Sequence, residues 1–111
     1  MIELEQTEQG KVTKLLKEIL EALELNIHKI VLLGSRARGD YTSNSDYDFL
    51  IIVQNAMDIS EKRRITSFVR MRMAENSIPV DVFLKDIEDY ESYKDIVGSL
   101  SYEIGREGIV V

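Results

Sequence analysis

Apolar residues recur every three or four positions along the first part of the chain, with glutamate and lysine between them. This spacing predicts an amphipathic helix that covers a sheet with its apolar side. The same period returns from Ser60 to Glu75 and again from Tyr93 to Ile104, although Gly98 interrupts the last stretch. The pattern therefore predicts three helices. The repeating residues of the first are Val12, Leu15, Leu16, Ile19, Leu20 and Leu23.

Short, continuous apolar runs alternate with these segments and have the length and composition of buried strands. The runs are Ile30 to Leu33, Phe49 to Val53 and Pro79 to Leu84, with Ile109 to Val111 as a short last strand. A polar segment, loop or short helix, separates the first two. The order of elements predicts an α/β fold, with a mixed β-sheet and flanking helices.

Composition narrows the classes of function. A length of 111 residues suits one domain. Cysteine is absent, which excludes disulfides and thiolate chemistry and is compatible with a cytoplasmic protein. No signal peptide or membrane span is expected. The net charge of −6 disfavours binding to duplex nucleic acid and suits a basic protein partner or a metal–nucleotide complex.

Three aspartates form a pattern that indicates a cation site. Asp46 and Asp48 are two positions apart at the start of the second strand, so both would project to one side. Asp81 stands among apolar residues of the third strand, where a carboxylate is costly unless it pairs or binds a metal ion. If these strands are neighbours, the three carboxylates converge and repel one another. Mg²⁺ relieves such repulsion, as one ion or as a two-metal site.

The polar segment after the first strand has the composition of a phosphate-binding loop. Gly34 lets the backbone approach a phosphate closely, and the hydroxyl of Ser35, with amides at a helix start, can hold anionic oxygens. Arg38 can add a charge-assisted contact. Phosphates on one side and metal ligands on the other form the arrangement that nucleotidyl transfer needs, because such catalysis is mainly positioning and electrostatics.

Two known ligand-binding motifs partly match this segment, but each lacks a required residue. The Gly34–Gly39 spacing matches a Walker A loop, but Asp40 replaces its lysine. An EF-hand loop that starts at Asp46 would need a glycine where Ile51 stands and a glutamate where Met57 stands.

Other residues near these segments receive a simpler interpretation. The basic residues of the second helix are expected to form a solvated face, and Tyr41 and Tyr47 are expected to pack. Arg36 stays open between a nucleotide contact and a partner contact. The basic residues in question are Lys62, Arg63, Arg64 and Arg70.

The stretch GSRARGDYTSNSDYDFLIIV, followed by PVDVFL, resembles the polymerase β nucleotidyltransferase superfamily. Its specific form is similar to the minimal nucleotidyltransferases of prokaryotic toxin–antitoxin pairs, as is the ending IGREGIVV. The resemblance extends from Ile30 onward. By this resemblance the nucleotide-binding residues are Gly34, Ser35 and Arg38, and the metal-binding and catalytic residues are Asp46, Asp48 and Asp81.

The resemblance implies more than the residues do. It implies a polymerase β-type nucleotidyltransferase fold, with residues 1–111 as a single domain, up to two Mg²⁺ ions, and ATP as co-substrate. Such proteins are commonly paired with a helical HEPN-type toxin, and some act as its antitoxin by transferring AMP from ATP to a tyrosine of that partner. A homodimer is also considered, because a second copy could supply the pocket that a small-molecule acceptor needs.

Two alternatives remain beside this interpretation. One is a non-catalytic antitoxin that masks its toxin by binding, with a vestigial nucleotide site. The intact set of carboxylates argues against it. The other is nucleotidyl transfer to a small molecule, which the lack of a second domain disfavours.

Overall fold

The computed structural model describes residues 7–99, 102 and 106–111, and its described helices and strands build a mixed four-stranded sheet with helices packed on it. The α/β prediction is confirmed. In chain order the elements are α1 (Glu8–Ala22), β1 (Ile27–Leu33), α2 (Gly34–Arg38), β2 (Tyr47–Val53), α3 (Ile59–Glu75), β3 (Val80–Asp86), α4 (Ile87–Tyr93) and β4 (Ile109–Val110).

The strand order is β3-β2-β1-β4. Strand β1 runs antiparallel to β2 and to β4, whereas β2 and β3 are parallel. The parallel pair is joined by α3, which is the crossover helix that a parallel connection requires. The adjacency of β2 and β3, on which the convergence of the aspartates depends, is therefore present in the fold.

The two faces of the sheet carry different cores. On one face, alternate residues of all three long strands pack with α1 and α3 in the main apolar cluster, which includes Phe49, Ile51 and Val82. On the other face a smaller cluster joins Val31, Leu50 and Ile52 to Tyr90 of α4. Among the elements that the structure describes, the second face thus has less helical cover than the first.

Two helix predictions hold and one does not. The periodic residues of α1 and α3 are buried against the sheet, as predicted. The predicted helix from Tyr93 to Ile104 is wrong over residues 94–99, which form turns and bends; residues 100, 101 and 103–105 lie outside the described part of the chain. Helix α4 precedes it instead, because the Asp86 side chain caps it by accepting the Asp89 N–H at 2.8 Å.

Two of the apolar residues that suggested this helix are on the surface. Ile96 and Val97 are 51% and 78% exposed, and Gly98 has a left-handed φ of 88°. A left-handed residue does not continue a helix, and glycine adopts this conformation without steric cost. Among the described residues, no helix is long and apolar enough to cross a membrane.

Candidate active site

Asp48 and Asp81 are direct neighbours across the parallel strands β2 and β3. Side chains alternate along a strand, and Phe49 and Val82, the next residues along, belong to the main core. The two carboxylates therefore lie on the opposite, less covered face of the sheet. Asp46 lies just before β2 and is exposed.

Gly34 brings the end of β1 against Asp48. Leu33, the last residue of β1, pairs with Asp48 across the sheet, and Gly34 follows with a φ of 69°. A Cβ atom at Gly34 would overlap Asp48 Oδ2. The sequence analysis predicted that this glycine lets the backbone approach a phosphate. The structure shows a steric reason within the protein itself, because only a residue without a side chain fits beside the Asp48 carboxylate.

The carboxylates interact electrostatically. Burial raises the pKa of Asp48 above its usual value, and the negative charges of Asp81 and Asp46 raise it further. Arg38 acts in the other direction and lowers this pKa. The charges of Asp81, Asp46 and Arg38 therefore all act on Asp48 at this end of the sheet, where neighbouring carboxylates favour a cation.

Asp81 has a partner that the sequence analysis placed elsewhere. Arg70 of α3 donates from Nη2 to Asp81 Oδ1 at 2.9 Å and to the Val82 carbonyl at 3.0 Å. The Asp81 oxygen also accepts from the Val82 N–H at 3.1 Å. Arg70 is solvated as predicted, with its side chain 45% exposed, but it is also paired with Asp81. Lys62 is less exposed, at 23%, and its Nζ lies 3.5 Å from Asp86 Oδ2.

Helix α2 carries the predicted phosphate-binding residues. Leu33 is its N-cap residue and provides no side-chain hydrogen bond to the first turn, and Ser35 is half-buried there. The Arg38 side chain is 46% exposed and pairs with Asp40 at 3.2 Å and Glu107 at 3.8 Å. These contacts are exposed ion pairs, which are weak, so Arg38 can exchange them for a phosphate.

Arg36 organises the loop that leads to the aspartates. It is buried, and its Nε and Nη2 donate to the Ser45 carbonyl at 3.3 and 3.0 Å. Its guanidinium lies 4.3 Å from the ring centroids of both Tyr41 and Tyr47. Tyr47 is buried, as its expected packing role requires, whereas Tyr41 is 49% exposed. Because Ser45 precedes Asp46 directly, Arg36 fixes the loop backbone next to the first aspartate.

The three aspartates do not form a closed ligand cluster. Within residues 7–99, 102 and 106–111, no three His, Cys, Asp or Glu side chains are arranged to hold a metal ion. Mutual repulsion and the Arg70 ion pair both keep the carboxylates from closing together. Mg²⁺ needs only one or two carboxylates when phosphate oxygens complete its shell. The residues therefore fit Mg²⁺ that arrives with a triphosphate better than a free ion.

The sequence signals that could have identified Arg70 and Arg36 are weak. Arg70 follows the buried Val69 on α3, and its reach to β3 depends on β3 being the edge strand. Arg36 lies inside a polar segment, where a buried cation has no compositional signature. Both roles depend on contacts between distant parts of the chain, which periodicity cannot predict.

Comparison with known proteins adds to this geometry. The pattern of the family described as "Nucleotidyltransferase domain" matches residues 12–102. Two candidate protein adenylyltransferases of Methanocaldococcus jannaschii are similar over shorter segments. One is 41% identical over 49 residues, which are 44% of this chain and 50% of that protein. The other is 51% identical over 43 residues, 35% of this chain and 43% of that protein. The matches thus span half or less of these relatives.

Solved structures share the fold. A candidate nucleotidyltransferase from Sulfolobus solfataricus is 27% identical, with a TM-score of 0.51 over 90% of this chain and 76% of that one. A toxin–antitoxin structure with AMP-PNP has a TM-score of 0.56 at 19% identity, over 94% and 72% of the two chains. A structure of a tri-AMPylated Shewanella oneidensis HEPN toxin in complex with an MNT antitoxin has a TM-score of 0.53 at 17% identity, over 94% and 71%.

Proposed function

Because this chain belongs to the nucleotidyltransferase domain family, we propose that it transfers AMP from Mg²⁺–ATP to a hydroxyl group of a partner protein, and that it acts in this way as the antitoxin of a helical HEPN-type toxin. The family membership is the premise. The co-substrate, the metal, the acceptor and the partner are what we propose.

One observation carries the proposal. Asp48 and Asp81 lie side by side across β2 and β3, with Gly34 fitted against Asp48 at the start of α2. Carboxylates for a cation thus lie next to the first residue of a short helix for phosphates. Phosphoryl and nucleotidyl transfer need such an arrangement, because the protein contributes mainly positioning and charge.

Each residue has a role in the proposed reaction. The acceptor hydroxyl gives up its proton to solvent and its oxygen forms a bond to the α-phosphorus of ATP, the bond from that phosphorus to the bridging oxygen breaks, and pyrophosphate leaves. Asp46, Asp48 and Asp81 would hold Mg²⁺, up to two ions, which when bound neutralises phosphate charge and activates the attacking hydroxyl. Asp81 also orients that hydroxyl. Gly34, Ser35 and Arg38 hold the triphosphate in line.

The partner is proposed from relatives of the same fold. The two M. jannaschii relatives are described as candidate protein adenylyltransferases, and a structural neighbour is an MNT antitoxin complex with an AMPylated HEPN toxin. The acidic balance of this chain, a net charge of −6, suits a basic partner surface. An ATP-dependent reaction on such a partner also supports a cytoplasmic location.

The test begins by identifying a neighbouring gene that encodes a small helical protein, which is the proposed partner. That protein is incubated with this chain, Mg²⁺ and ATP labelled at the α-phosphate, and its mass is measured. We expect label on the partner and a mass increase of one AMP or more. Asp48→Asn should lose the label while its circular dichroism spectrum and its elution with the partner are retained, and Arg63→Ala, on exposed α3 surface, should keep it.

The same assay separates the alternatives. Co-elution without label, in wild type and Asp48→Asn alike, would mean a non-catalytic antitoxin that masks its toxin. When cell lysate replaces the partner in this assay, label on a small molecule would mean the other acceptor class. The open arrangement of the three aspartates leaves the masking alternative in place until the assay is done, whereas no contact in the described structure favours a small-molecule acceptor.

A further inference from the structure

Arg70 connects helix α3 to the carboxylate site by two hydrogen bonds from one of its side-chain nitrogens. Its Nη2 lies 2.9 Å from Asp81 Oδ1 and 3.0 Å from the Val82 carbonyl. Strand β3 is the edge of the sheet, so its outer side is open to a side chain from α3. The contact to the carbonyl keeps the guanidinium at the edge of β3 independently of the carboxylate.

We propose that Arg70 is a positioning residue that serves as the counter-ion of Asp81 and releases this carboxylate when a metal–nucleotide complex binds. The inference rests on the proposed function, since it assigns Asp81 to the metal. Arg70 and a divalent cation compete for the same carboxylate. Metal alone must displace the guanidinium, whereas a metal that arrives with a triphosphate brings its own ligands for the rest of its coordination shell.

The chemistry of the pair suits this exchange. Both side chains are near half exposure, at 45% and 46%, so the ion pair is in contact with water and is easily opened. A guanidinium keeps its charge at all relevant pH values. When Arg70 releases Asp81, its hydrogen bond to the Val82 carbonyl remains and holds it near the site.

Arg72 provides a matched control on the same helix. It pairs with Glu75 at 3.1 Å, with side chains 51% and 53% exposed. The two ion pairs are similar in length and exposure, but Arg72 and Glu75 both belong to α3 and neither touches the aspartates. Removal of either arginine costs one exposed ion pair, and removal of Arg70 also costs its hydrogen bond to the Val82 carbonyl. Of the two, Arg70 is the one that contacts a proposed metal ligand.

The first experiment measures Mn²⁺ binding without nucleotide by electron paramagnetic resonance of the free ion. Arg70→Gln should bind Mn²⁺ about fivefold more tightly than wild type, the factor that matches loss of one exposed ion pair. Arg70→Lys keeps the charge and should stay within about twofold of wild type. Arg72→Gln should equal wild type. A merely structural role for Arg70 would weaken metal binding or leave it unchanged.

A second readout follows the side chain itself. In nitrogen-15 NMR spectra, the Nε–Hε signal of Arg70 should shift when Mg²⁺ and a non-hydrolysable ATP analogue are added together, and that of Arg72 should not. If the Arg70 signal stays in place at saturating ligand, the exchange does not occur.

Asp48→Asn separates failure of this inference from failure of the proposed function. If Asp48→Asn binds Mn²⁺ as wild type does, the carboxylates are not the metal site and both proposals fall. If Asp48→Asn loses Mn²⁺ and Arg70→Gln gains none, the site stands and the role of Arg70 is overturned. Binding that is too weak to saturate in wild type but saturates in Arg70→Gln counts as the expected gain; no binding by either variant or wild type overturns the inference.

Discussion

Single residues decide the chemistry of this protein, and the sequence identified some of them better than others. The aspartates are easy to identify because a carboxylate within an apolar run is costly to bury unless it is paired or binds a metal ion. Gly34 was also found, although its steric reason, the approach of Asp48, requires β1 and β2 to be paired. Arg36 and Arg70 were not assigned, because an arginine among polar residues looks the same whether it is solvated or pinned by distant groups.

Asp48 is expected to make the protein less stable as its carboxyl ionises. Its pKa is raised in the folded protein, first by burial and then by Asp81 and Asp46. The folded state thus binds this proton more tightly than the unfolded state, and the free energy of unfolding falls as pH rises from the unfolded pKa through the folded one. Asp48→Asn should therefore be more stable than wild type at neutral pH by about 0.2–1 kcal/mol.

The extra stability of Asp48→Asn should vanish below about pH 4, where the Asp48 carboxyl of the wild type is protonated in the folded and the unfolded state. Urea unfolding of metal-free protein across this pH range measures it. If Asp48→Asn is less stable than wild type at neutral pH, repulsion between Asp48 and its neighbouring carboxylates does not destabilise the folded protein.

Gly34→Ala tests the close approach to Asp48. The substitution pays for a left-handed φ, about 1 kcal/mol or more, and also for the overlap of its Cβ with the carboxylate. Gly39→Ala is the control, since its φ is 87° and a Cβ there meets nothing within 4 Å. Chemical denaturation should show a larger loss for Gly34→Ala than for Gly39→Ala.

In an Asp48→Ala background the overlap is gone, so the cost of Gly34→Ala should drop by about 1 kcal/mol. Equal costs for the two glycines, with full additivity of Gly34→Ala and Asp48→Ala, would contradict the steric account.

At the level of elements, strands were easier to predict than the last helix. The apolar runs fixed β1, β2 and β3 to within a few residues, because burial on both faces of a sheet leaves a continuous signature. Helix α4 was not predicted, since its start depends on the Asp86 cap. The helix predicted from Tyr93 onward is absent over residues 94–99, where Gly98 has a left-handed φ. Apolar residues at helical spacing, such as Ile96 and Val97, do not form a helix when they have nothing to pack against.

Arg36 should control the loop between α2 and β2. Arg36→Ala leaves the Ser45 carbonyl and two tyrosine rings without their partner, so the free energy of unfolding should fall by about 2–4 kcal/mol. Arg36→Lys should not restore it, because an ammonium group lacks the planar fork that bonds and stacks at once. Thermal and urea unfolding measure both variants.

Arg38→Ala is the neighbouring control. Arg38 is half exposed, so its removal should change stability by less than about 0.5 kcal/mol. A similar small effect for Arg36→Ala would mean that the loop is held by its own hydrogen bonds, such as Thr42 N–H to Ser45 Oγ at 3.0 Å.

At the scale of the whole molecule, the sequence could name the participants but not their arrangement. The convergence of Asp48 and Asp81 follows from the strand order, which is a property of the assembled sheet. The uneven cover of the two faces is another such property, and it leaves the carboxylates accessible opposite the main core. A pattern of apolar residues indicates that a strand is buried, but it does not predict which strand lies beside it.

The central claim is that the carboxylates and α2 form one site for a metal ion together with a triphosphate. The most direct measurement is thermal unfolding with Mg²⁺, with a non-hydrolysable ATP analogue, with both and with neither. Each ligand relieves the repulsion that the other meets, so their binding should be coupled by about 1–3 kcal/mol. At a hundredfold excess over Kd, joint binding adds about 2.7 kcal/mol, which raises the Tm of a domain of this size by several degrees.

We therefore predict a large shift in Tm with both ligands and much smaller shifts with either one. Asp48→Asn should abolish the joint shift, and Arg63→Ala should keep it. If the two separate shifts merely add, or if Asp48→Asn retains the joint shift, the carboxylates and α2 do not form a common metal–triphosphate site and the account is wrong.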